Sequence, residues 1–440
     1  MQQVSNATKN HTDANDRPFH SWYQFVLGYP PHFVRHCLTK FCIGKENLVL
    51  DPFCGTGTTN VECKRLGIDT LGLEANPMAY FASRIKTDWE ISPSDLETCA
   101  REVSTAALRS FKTFGLSEDS QLFLSSQLPN KEREVRPISQ EPKLTPEQME
   151  VLPKDFISQK PLRKVLILRE LILQVSNART RDALLLALAN VTVNNASNLA
   201  FGPEIYTPKK KRDAAVASSF LVRATVMARD LESKPREYGR SDIVLGDARK
   251  TIDYFKDRHS VDCVITSPPY PNEKDYTRLT RLESIILGFI KDRQTLREIK
   301  TNLLRSNSRN IFVKDTDDVF VRGFKEVEEL ADQIEAKRVS LHKTSGFEKL
   351  YHRIVRHYFG GMFRHFQSLR GLLSPGAKLA YVVGDQASFF RINISTAELL
   401  GKIAEGIGYS VEGIELWRTR LATATGSNLN ENILILKNEE

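Results

Sequence analysis

Residues 48–59, Leu-Val-Leu-Asp-Pro-Phe-Cys-Gly-Thr-Gly-Thr-Thr, decide the expected fold. The apolar run 48–50 predicts a short buried strand, the glycines predict a tight turn, and the pattern from Thr58 to Leu66 predicts a helix. Gly55 and Gly57 have no side chain, so a ligand can approach the backbone closely there. A strand, a glycine turn and a helix in this order form the first half of a nucleotide-binding α/β unit.

Two carboxylates indicate the kind of ligand. Asp51 ends the first strand, where it could meet a ligand's cation. Glu74 ends a second apolar run 17 residues after Gly57, roughly where a carboxylate binds ribose hydroxyls in dinucleotide folds. A phosphate-binding loop would need a Lys after its glycines, and the chain has Thr58 and Thr59 instead. We therefore predict a nucleoside-type ligand without a triphosphate.

The composition bounds the class of protein. The 440 residues contain 62 Lys and Arg against 54 Asp and Glu, a formal net charge of +8 that suits a polyanionic partner without requiring one. The six cysteines form no Cys-x-x-Cys pair and have no His at zinc spacing, so we predict reduced thiols and no metal site. The N-terminus is polar and no apolar run reaches membrane-spanning length, which predicts a cytoplasmic protein without a membrane partner.

A second motif, Ser267-Pro268-Pro269-Tyr270, follows the predicted strand 261–265. Proline has no N–H, so backbone carbonyls at this strand end are left to accept hydrogen bonds from a ligand's amino group. The hydroxyl of Ser267 can accept too, and Tyr270 offers a flat face for stacking a base. An aromatic amino group is a poor nucleophile, and acceptors that bind its hydrogens favour the tetrahedral form whose lone pair can attack.

The two motifs together resemble the S-adenosylmethionine (SAM)-dependent amino-methyltransferases of DNA, which methylate N4 of cytosine or N6 of adenine. The family's Asp-Pro-Phe-x-Gly-x-Gly motif stands at 51–57, and its Ser/Asn/Asp-Pro-Pro-Tyr/Phe motif stands at 267–270. The aromatic Tyr-Pro-Pro segment at 29–31, Gly72-x-Glu74-x-Asn76-Pro77, and Gly246-Asp247 also match. The serine form is commonest among the cytosine-N4 members.

The resemblance implies a role for each matching residue. Gly55 and Gly57 would pass under SAM, Glu74 would hold its ribose, and Asp247 would accept from its adenine amino group. Residues 29–32 would face the methionine end, and Ser267, Pro268, Pro269 and Tyr270 would hold the target base. The full expected cofactor set is Tyr29, Pro30, His32, Asp51, Pro52, Phe53, Gly55, Gly57, Thr58, Glu74, Asn76 and Asp247.

Double-stranded DNA is the implied partner, with a cognate restriction endonuclease as a second one. Residues 349–384 contain no Asp or Glu but several Arg and His, which favours phosphate contacts on a helix predicted over 346–373 and interrupted at Gly360-Gly361. The candidate nucleic-acid-binding residues are Lys209, Lys210, Lys211, Arg212, Arg305, Arg309, Arg353, Arg356 and Arg364.

We predict an α/β fold: a Rossmann-like SAM-dependent methyltransferase sheet, mostly parallel, with an antiparallel C-terminal hairpin and largely helical insertions. The expected segments are a flexible tail (1–18), the first part of the SAM-binding catalytic domain (19–90), a helical insertion (91–238), the part with the Ser-Pro-Pro-Tyr loop (239–275), a second insertion (276–345) and the remainder (346–440). Either insertion is a candidate for target recognition.

Cytosine-N4 methylation of DNA, as a restriction-modification methylase, is the leading functional prediction. Adenine-N6 methylation uses the same residues and stays open, as do methylation of an RNA base and a SAM- and DNA-binding module without catalysis. Methylation at carbon 5 is disfavoured, because it needs a cysteine nucleophile beside the base and Cys263 lies inside a predicted strand.

Overall fold

The computed structural model describes residues 13–24, 28–118, 135–202, 205–258, 260–271, 274–421, 426 and 428–439. Most of the predicted tail (1–18), and most of the stretch 422–427 within the predicted C-terminal hairpin, therefore lie outside the described residues. The strands are β1 (Leu48–Asp51), β2 (Asp69–Glu74), β3 (Ala200–Phe201), β4 (Ile205–Tyr206), β5 (Ser241–Leu245), β6 (Val261–Thr266), β7 (Leu373–Gly384), β8 (Tyr409–Leu421) and β9 (Asn428–Asn438).

The α-helices are α1 (Pro31–Lys40), α2 (Thr58–Arg65), α3 (Pro77–Thr87), α4 (Pro93–Thr113), α5 (Pro146–Val151), α6 (Gln159–Ile172), α7 (Ala178–Val191), α8 (Val216–Glu232), α9 (Thr251–Tyr254), α10 (Tyr276–Leu279), α11 (Arg281–Ile286), α12 (Arg293–Asn302), α13 (Lys325–Ser340), α14 (Tyr351–Arg370) and α15 (Thr396–Glu405). Short 3₁₀ helices lie at Ala14–Asp16, His20–Trp22, Ala248–Lys250, Asp317–Val321 and Glu348–Leu350, and a π-helix at Thr192–Ala196 extends α7.

The main sheet has seven strands in the order β5-β2-β1-β6-β7-β9-β8. Its pairs are parallel from β5 to β7, whereas β9 is antiparallel to both β7 and β8. The predicted Rossmann-like sheet with an antiparallel C-terminal hairpin is confirmed. The chain leaves β1 toward β2 on one side and returns to β6 on the other, and ligands bind at such a switch point in open α/β sheets.

The first strand and helix form for the reasons that the sequence suggested. Val49 and Leu50 are fully buried, on opposite faces of the sheet. Gly57 has a φ of +82°, a left-handed conformation that glycine adopts without strain, and α2 starts directly after it. In α3, Asn76 caps the N-terminus by accepting from the N–H of Met78 at 3.0 Å, and Pro77 occupies the first helical position.

Helices cover both faces of the sheet. On one face, α14, α15 and α13 pack over apolar residues of β6, β7 and β9. The other face carries a cluster of α1, α2 and the strands around Val49, Cys263 and Ile435. The chain between β2 and β5 builds a separate helical core from α4, α6, α7 and α8, which joins α3 and Trp22.

The predicted interruption at Gly360-Gly361 is wrong, because α14 runs unbroken from Tyr351 to Arg370. The glycines serve close packing instead. A Cβ on Gly360 would lie 1.8 Å from the carbonyl oxygen of Asp317, and one on Gly361 would lie 2.4 Å from Leu304. The missing side chains let the segment 304–317 lie directly on the helix.

Within the described ranges, no helix combines the length and the apolar content needed to cross a bilayer. The same residues show no group of three or more His, Cys, Asp and Glu side chains placed to hold a metal ion.

Candidate active site

The motifs from distant parts of the chain meet at one edge of the sheet, because β1, β2, β5 and β6 are parallel and all end there. A cavity of about 460 Å³ opens at this edge. Of the predicted site residues, the cavity is lined by Tyr29, Pro52, Phe53, Gly55, Thr58, Glu74, Asn76, Asp247, Ser267, Pro268, Pro269 and Tyr270. One volume therefore touches both the expected cofactor residues and the expected base-binding loop.

Glu74 and the glycine turn form one hydrogen-bonded unit. The carboxylate of Glu74 accepts from the N–H of Gly55 at 2.8 Å and from the N–H of Asn76 at 2.7 Å. Burial raises the pKa of Glu74 to about 7, against these backbone hydrogen bonds, which act to lower it. The carboxylate is thus placed by two backbone segments and titrates near neutral pH.

Asp247 lines the cavity beside an arginine that holds its carboxylate. The Nε of Arg249 donates to Asp247 Oδ1 at 2.9 Å, and a terminal nitrogen donates to Oδ2 at 2.7 Å. Arg249 also binds Asp317 at 2.7 Å, so the segment after α12 is tied to this end of the cavity. Oδ1 also accepts from the backbone N–H of Arg249 at 2.9 Å, so the lone pair left for a ligand is on Oδ2.

Asp51 is placed differently from the prediction. Its side chain is fully buried and does not line the cavity. It accepts from the hydroxyl of Tyr29 at 2.7 Å and from that of Thr266 at 2.6 Å. Burial raises its pKa, although these bonds act to lower it. Asp51 therefore joins the N-terminal aromatic segment to the ends of β1 and β6, behind the cavity wall.

Three other predicted cofactor residues lie outside this cavity. Gly57 faces α3, where an added Cβ would lie 2.9 Å from Ser83, so its role is close helix packing. His32 is half-buried on α1 beside Trp417, with ring centroids 5.8 Å apart. Pro30 lines a neighbouring cavity of about 480 Å³, which shares Tyr29, Thr58 and Arg418 with the first.

The Ser-Pro-Pro-Tyr loop contacts the strands beside it. The Ser267 hydroxyl donates to the carbonyl of Val382 in β7 at 3.0 Å, which leaves its oxygen lone pairs for an incoming donor. The buried Tyr270 donates to Glu431 at 3.0 Å, and the guanidinium of Arg420 lies over its ring, 5.3 Å from the centroid. A Cβ on Gly384 would lie 2.8 Å from this ring, so only glycine leaves room for it.

The sequence reasoning missed Arg418, Arg420 and Glu431, which line the same cavity. Arg418 and Arg420 are two residues apart on β8, so their side chains lie on the same face of the strand. This spacing is the feature of the sequence from which the pair could have been predicted. Glu431 lies opposite Gly384 on β7 and Arg418 on β8. Asn302, Leu303 and Leu304, from the predicted second insertion, add a further part of the wall.

Three of the candidate DNA-binding arginines form ion pairs within the protein. Arg305 is buried and its guanidinium binds both carboxylate oxygens of Asp315, at 2.8 and 2.9 Å. Arg356 binds Glu328 and Asp332 of α13, each at 2.7 Å, and Arg364 binds Asp317 at 2.7 Å. The acid-free stretch therefore has its acids on neighbouring elements, and these three arginines are already neutralised.

The other candidates differ in their availability. Lys209, Arg212 and Arg309 are exposed, and Arg353 is half-buried. Lys210 is exposed but forms an ion pair with Asp155 at 2.7 Å, and Lys211 donates to the carbonyl of Asn195 at 2.7 Å. Exposed cations such as Lys209 and Arg212 keep the capacity to meet phosphates.

Cys263 lies in β6 with no exposed surface. Burial raises the pKa of its thiol well above the usual range, which opposes formation of a nucleophilic thiolate. Cys263 therefore lies inside a strand, as the sequence predicted.

The chain is similar to known DNA methyltransferases. A family model described as DNA methylase matches residues 3–83, which include the glycine turn and Glu74. The Type II methyltransferase M.BsoBI of Geobacillus stearothermophilus is 25% identical over 429 residues, covering 90% of this chain and 79% of that protein. The resemblance to the DNA amino-methyltransferases is confirmed.

Two further matches to this DNA amino-methyltransferase-like chain are partial or remote. The Type II methyltransferase M.AvaI of Nostoc sp. is 30% identical over 160 residues, which cover 35% of this chain and 32% of that protein. The crystal structure of TrmN from Thermus thermophilus has a TM-score of 0.32 and 9% identity, covering 96% of this chain and 53% of that one. The similarity to TrmN is too low to indicate a reaction for this chain.

Proposed function

We propose that the protein transfers a methyl group from SAM to the N4 amino group of cytosine in double-stranded DNA. The observation that supports this most is the cavity of about 460 Å³, whose wall contains the glycine turn, Glu74, Asp247 and the loop 267–270 together. The curated relatives are named Type II methyltransferases. We therefore propose a modification methylase, with a restriction endonuclease of the same recognition sequence as its partner.

The residues at the cofactor end fit SAM. A Cβ on Gly55 would meet no atom within 4 Å, so the backbone of the turn is open on its cavity side. The carboxylates of Glu74 and Asp247 have lone pairs left for ribose hydroxyls and for the adenine amino group. SAM supplies an electrophilic methyl group on a positively charged sulfur. Hydroxyl donors and this positive charge both favour the ionised form of Glu74.

The residues at the other end fit an amino group as acceptor of the methyl. The hydroxyl of Ser267 donates its hydrogen bond to the carbonyl of Val382, so its oxygen can accept a hydrogen bond from one amino hydrogen of the base. The carbonyl of Pro268, a residue of the cavity wall, can accept the other. Binding both hydrogens turns the nitrogen lone pair out of the ring system, and holding it near the methyl group lowers the barrier further.

A base stacked in a duplex cannot reach this cavity, so the target nucleotide is expected to rotate out of the helix at a cost of about a few kcal/mol. Tyr270, which lines the cavity, would then stack on the base. Transfer would be direct: the N–CH3 bond would form as the S–CH3 bond of SAM breaks and leaves S-adenosylhomocysteine. The methylated amino group would then release one proton to solvent, and no covalent bond between base and enzyme would form. The buried thiol of Cys263 has no part in it.

Transfer of tritiated methyl groups from SAM tests this function on three acceptors: duplex DNA, RNA of the same sequence and no nucleic acid. We expect label in duplex DNA only. Label in RNA alone would contradict a DNA methylase, and SAM binding without label in any acceptor would contradict an enzyme. Single-molecule sequencing of host DNA with and without the gene then gives the methylated sequence.

A further inference from the structure

The cavity wall beside Tyr270 carries an ion pair whose arginine has no role in the proposed methyl transfer so far. Arg418 on β8 and Glu431 on β9 stand directly opposite each other in the hairpin register. The Nε of Arg418 donates to Oε2 of Glu431, while Oε1 accepts from the Tyr270 hydroxyl at 3.0 Å. The carboxylate thus fixes the guanidinium and the stacking tyrosine relative to each other.

Arg418 keeps unused hydrogen-bond donors at this wall. A guanidinium has five N–H groups, and within the described residues those on the terminal nitrogens of Arg418 meet no acceptor. Its side chain is 22% exposed and lines both cavities, whereas the Glu431 side chain is 6% exposed. A positioned, mostly buried guanidinium with free donors beside a base-binding loop is suited to an acceptor on the base.

We propose that Arg418 donates to the ring carbonyl oxygen of the target base and thereby selects cytosine over adenine; the inference rests on the proposed transfer to an amino group. Both bases present an amino group with a ring-nitrogen acceptor beside it. The next position on that edge is C=O in cytosine and C–H in adenine. With the amino group held by Ser267, cytosine pairs the guanidinium and adenine leaves it unpaired, which such sites reject strongly.

The test compares wild type with Arg418→Met, which keeps much of the side-chain length without the donors. Two duplexes carry the mapped sequence, one with the target cytosine and one with adenine in its place. We expect Arg418→Met to lower kcat/KM for the cytosine duplex by about 10- to 100-fold, the worth of a charge-assisted hydrogen bond, and to leave the adenine rate nearly unchanged. Arg356→Met, at an arginine paired with α13, should keep the wild-type ratio.

An equal loss on both duplexes would overturn the proposal, since a phosphate contact or a purely structural pair predicts that result. Should Arg418→Met fail to fold, wild type supplies the test through a 2-aminopyridine C-nucleoside, which keeps the amino group and adjacent ring nitrogen but lacks the carbonyl oxygen. We expect kcat/KM to fall by about 10-fold or more on this analogue, and an undiminished rate would refute a role for the carbonyl. Absence of any methyl transfer to DNA would instead contradict the proposed function.

Discussion

Glu74→Gln tests the cofactor end of the site through a nearly isosteric change. The carboxylate accepts from two backbone N–H groups, Gly55 at 2.8 Å and Asn76 at 2.7 Å. An amide has one oxygen, so one of these donors would face an NH₂ group, and the ribose would lose a charged acceptor. Losing a charge-assisted hydrogen bond costs about 1.5–3 kcal/mol, so the Kd for SAM should rise about 10- to 150-fold.

The same residue should make cofactor affinity depend on pH. Burial raises the pKa of Glu74 to about 7 in the protein without ligand, and the ligand's hydroxyls and positive sulfur favour the ionised form. Binding below pH 7 must therefore release a proton. The Kd of wild type should rise, by up to about tenfold per pH unit, as pH falls below 7, and level off above it. Glu74→Gln should lack this slope.

Isothermal titration calorimetry in two buffers of different ionisation heat measures both the affinity and the released proton. Glu62→Gln is the control, since Glu62 is also buried but lines neither cavity. Burial acts to raise the pKa of Glu62, but hydrogen bonds from His20 and Arg35 outweigh it and lower this pKa to about 2. Glu62 therefore stays ionised over the whole pH range of the titration. An unchanged Kd and an unchanged slope in folded Glu74→Gln would refute the assigned role.

Three further outcomes are expected. Tyr270→Ala should lose about 1–3 kcal/mol of base stacking and nearly all turnover at unchanged SAM affinity, whereas Tyr270→Phe should keep the stacking; a fully active Tyr270→Ala would exclude the stacking role. The double variant Lys209→Ala, Arg212→Ala should bind DNA with a weaker salt dependence. In fluorescence anisotropy, its slope of log affinity against log salt should be smaller in magnitude by about 1.8, or about 0.9 for each lost phosphate contact, and Arg356→Ala should keep the wild-type slope. Equal slopes in all variants would show that the 209–212 segment does not contact DNA. Gly360→Ala should lower the free energy of unfolding in urea by about 1–3 kcal/mol or more, because its methyl group would lie 1.8 Å from the Asp317 carbonyl oxygen. Gly346→Ala, with open space around its Cβ, should leave this free energy nearly unchanged. Similar free energies of unfolding in the two variants would contradict the close packing at Gly360.

The sequence sufficed where function is local to a strand end. Asp51 and Glu74 end a strand, Ser267 and Asp247 follow one within two residues, and parallel strands bring such ends to one edge. For this reason the sheet and most of the cavity lining could be predicted from short motifs. The motifs alone could not show which of these residues line the cavity. Asp51 and Gly57 belong to the motif but lie behind the cavity wall.

The rest depended on contacts between distant segments. Glu431 reaches the site only because β9 runs antiparallel and starts at the edge where the other strands end. The arginines of α14 looked available for phosphates, since their acidic partners lie on other elements, such as Glu328 on α13 and Asp317 in a 3₁₀ helix. Pairing of this kind is set by tertiary packing and is not visible in a local charge count.

The central claim is that one cavity presents the methyl donor to the amino group of a cytosine. Its most direct test is mass spectrometry of nucleosides from duplex DNA incubated with SAM and the purified protein, beside Tyr270→Ala as the inactive control. We predict N4-methyldeoxycytidine with wild type and none with the variant. N6-methyldeoxyadenosine alone, or 5-methyldeoxycytidine, would contradict the account.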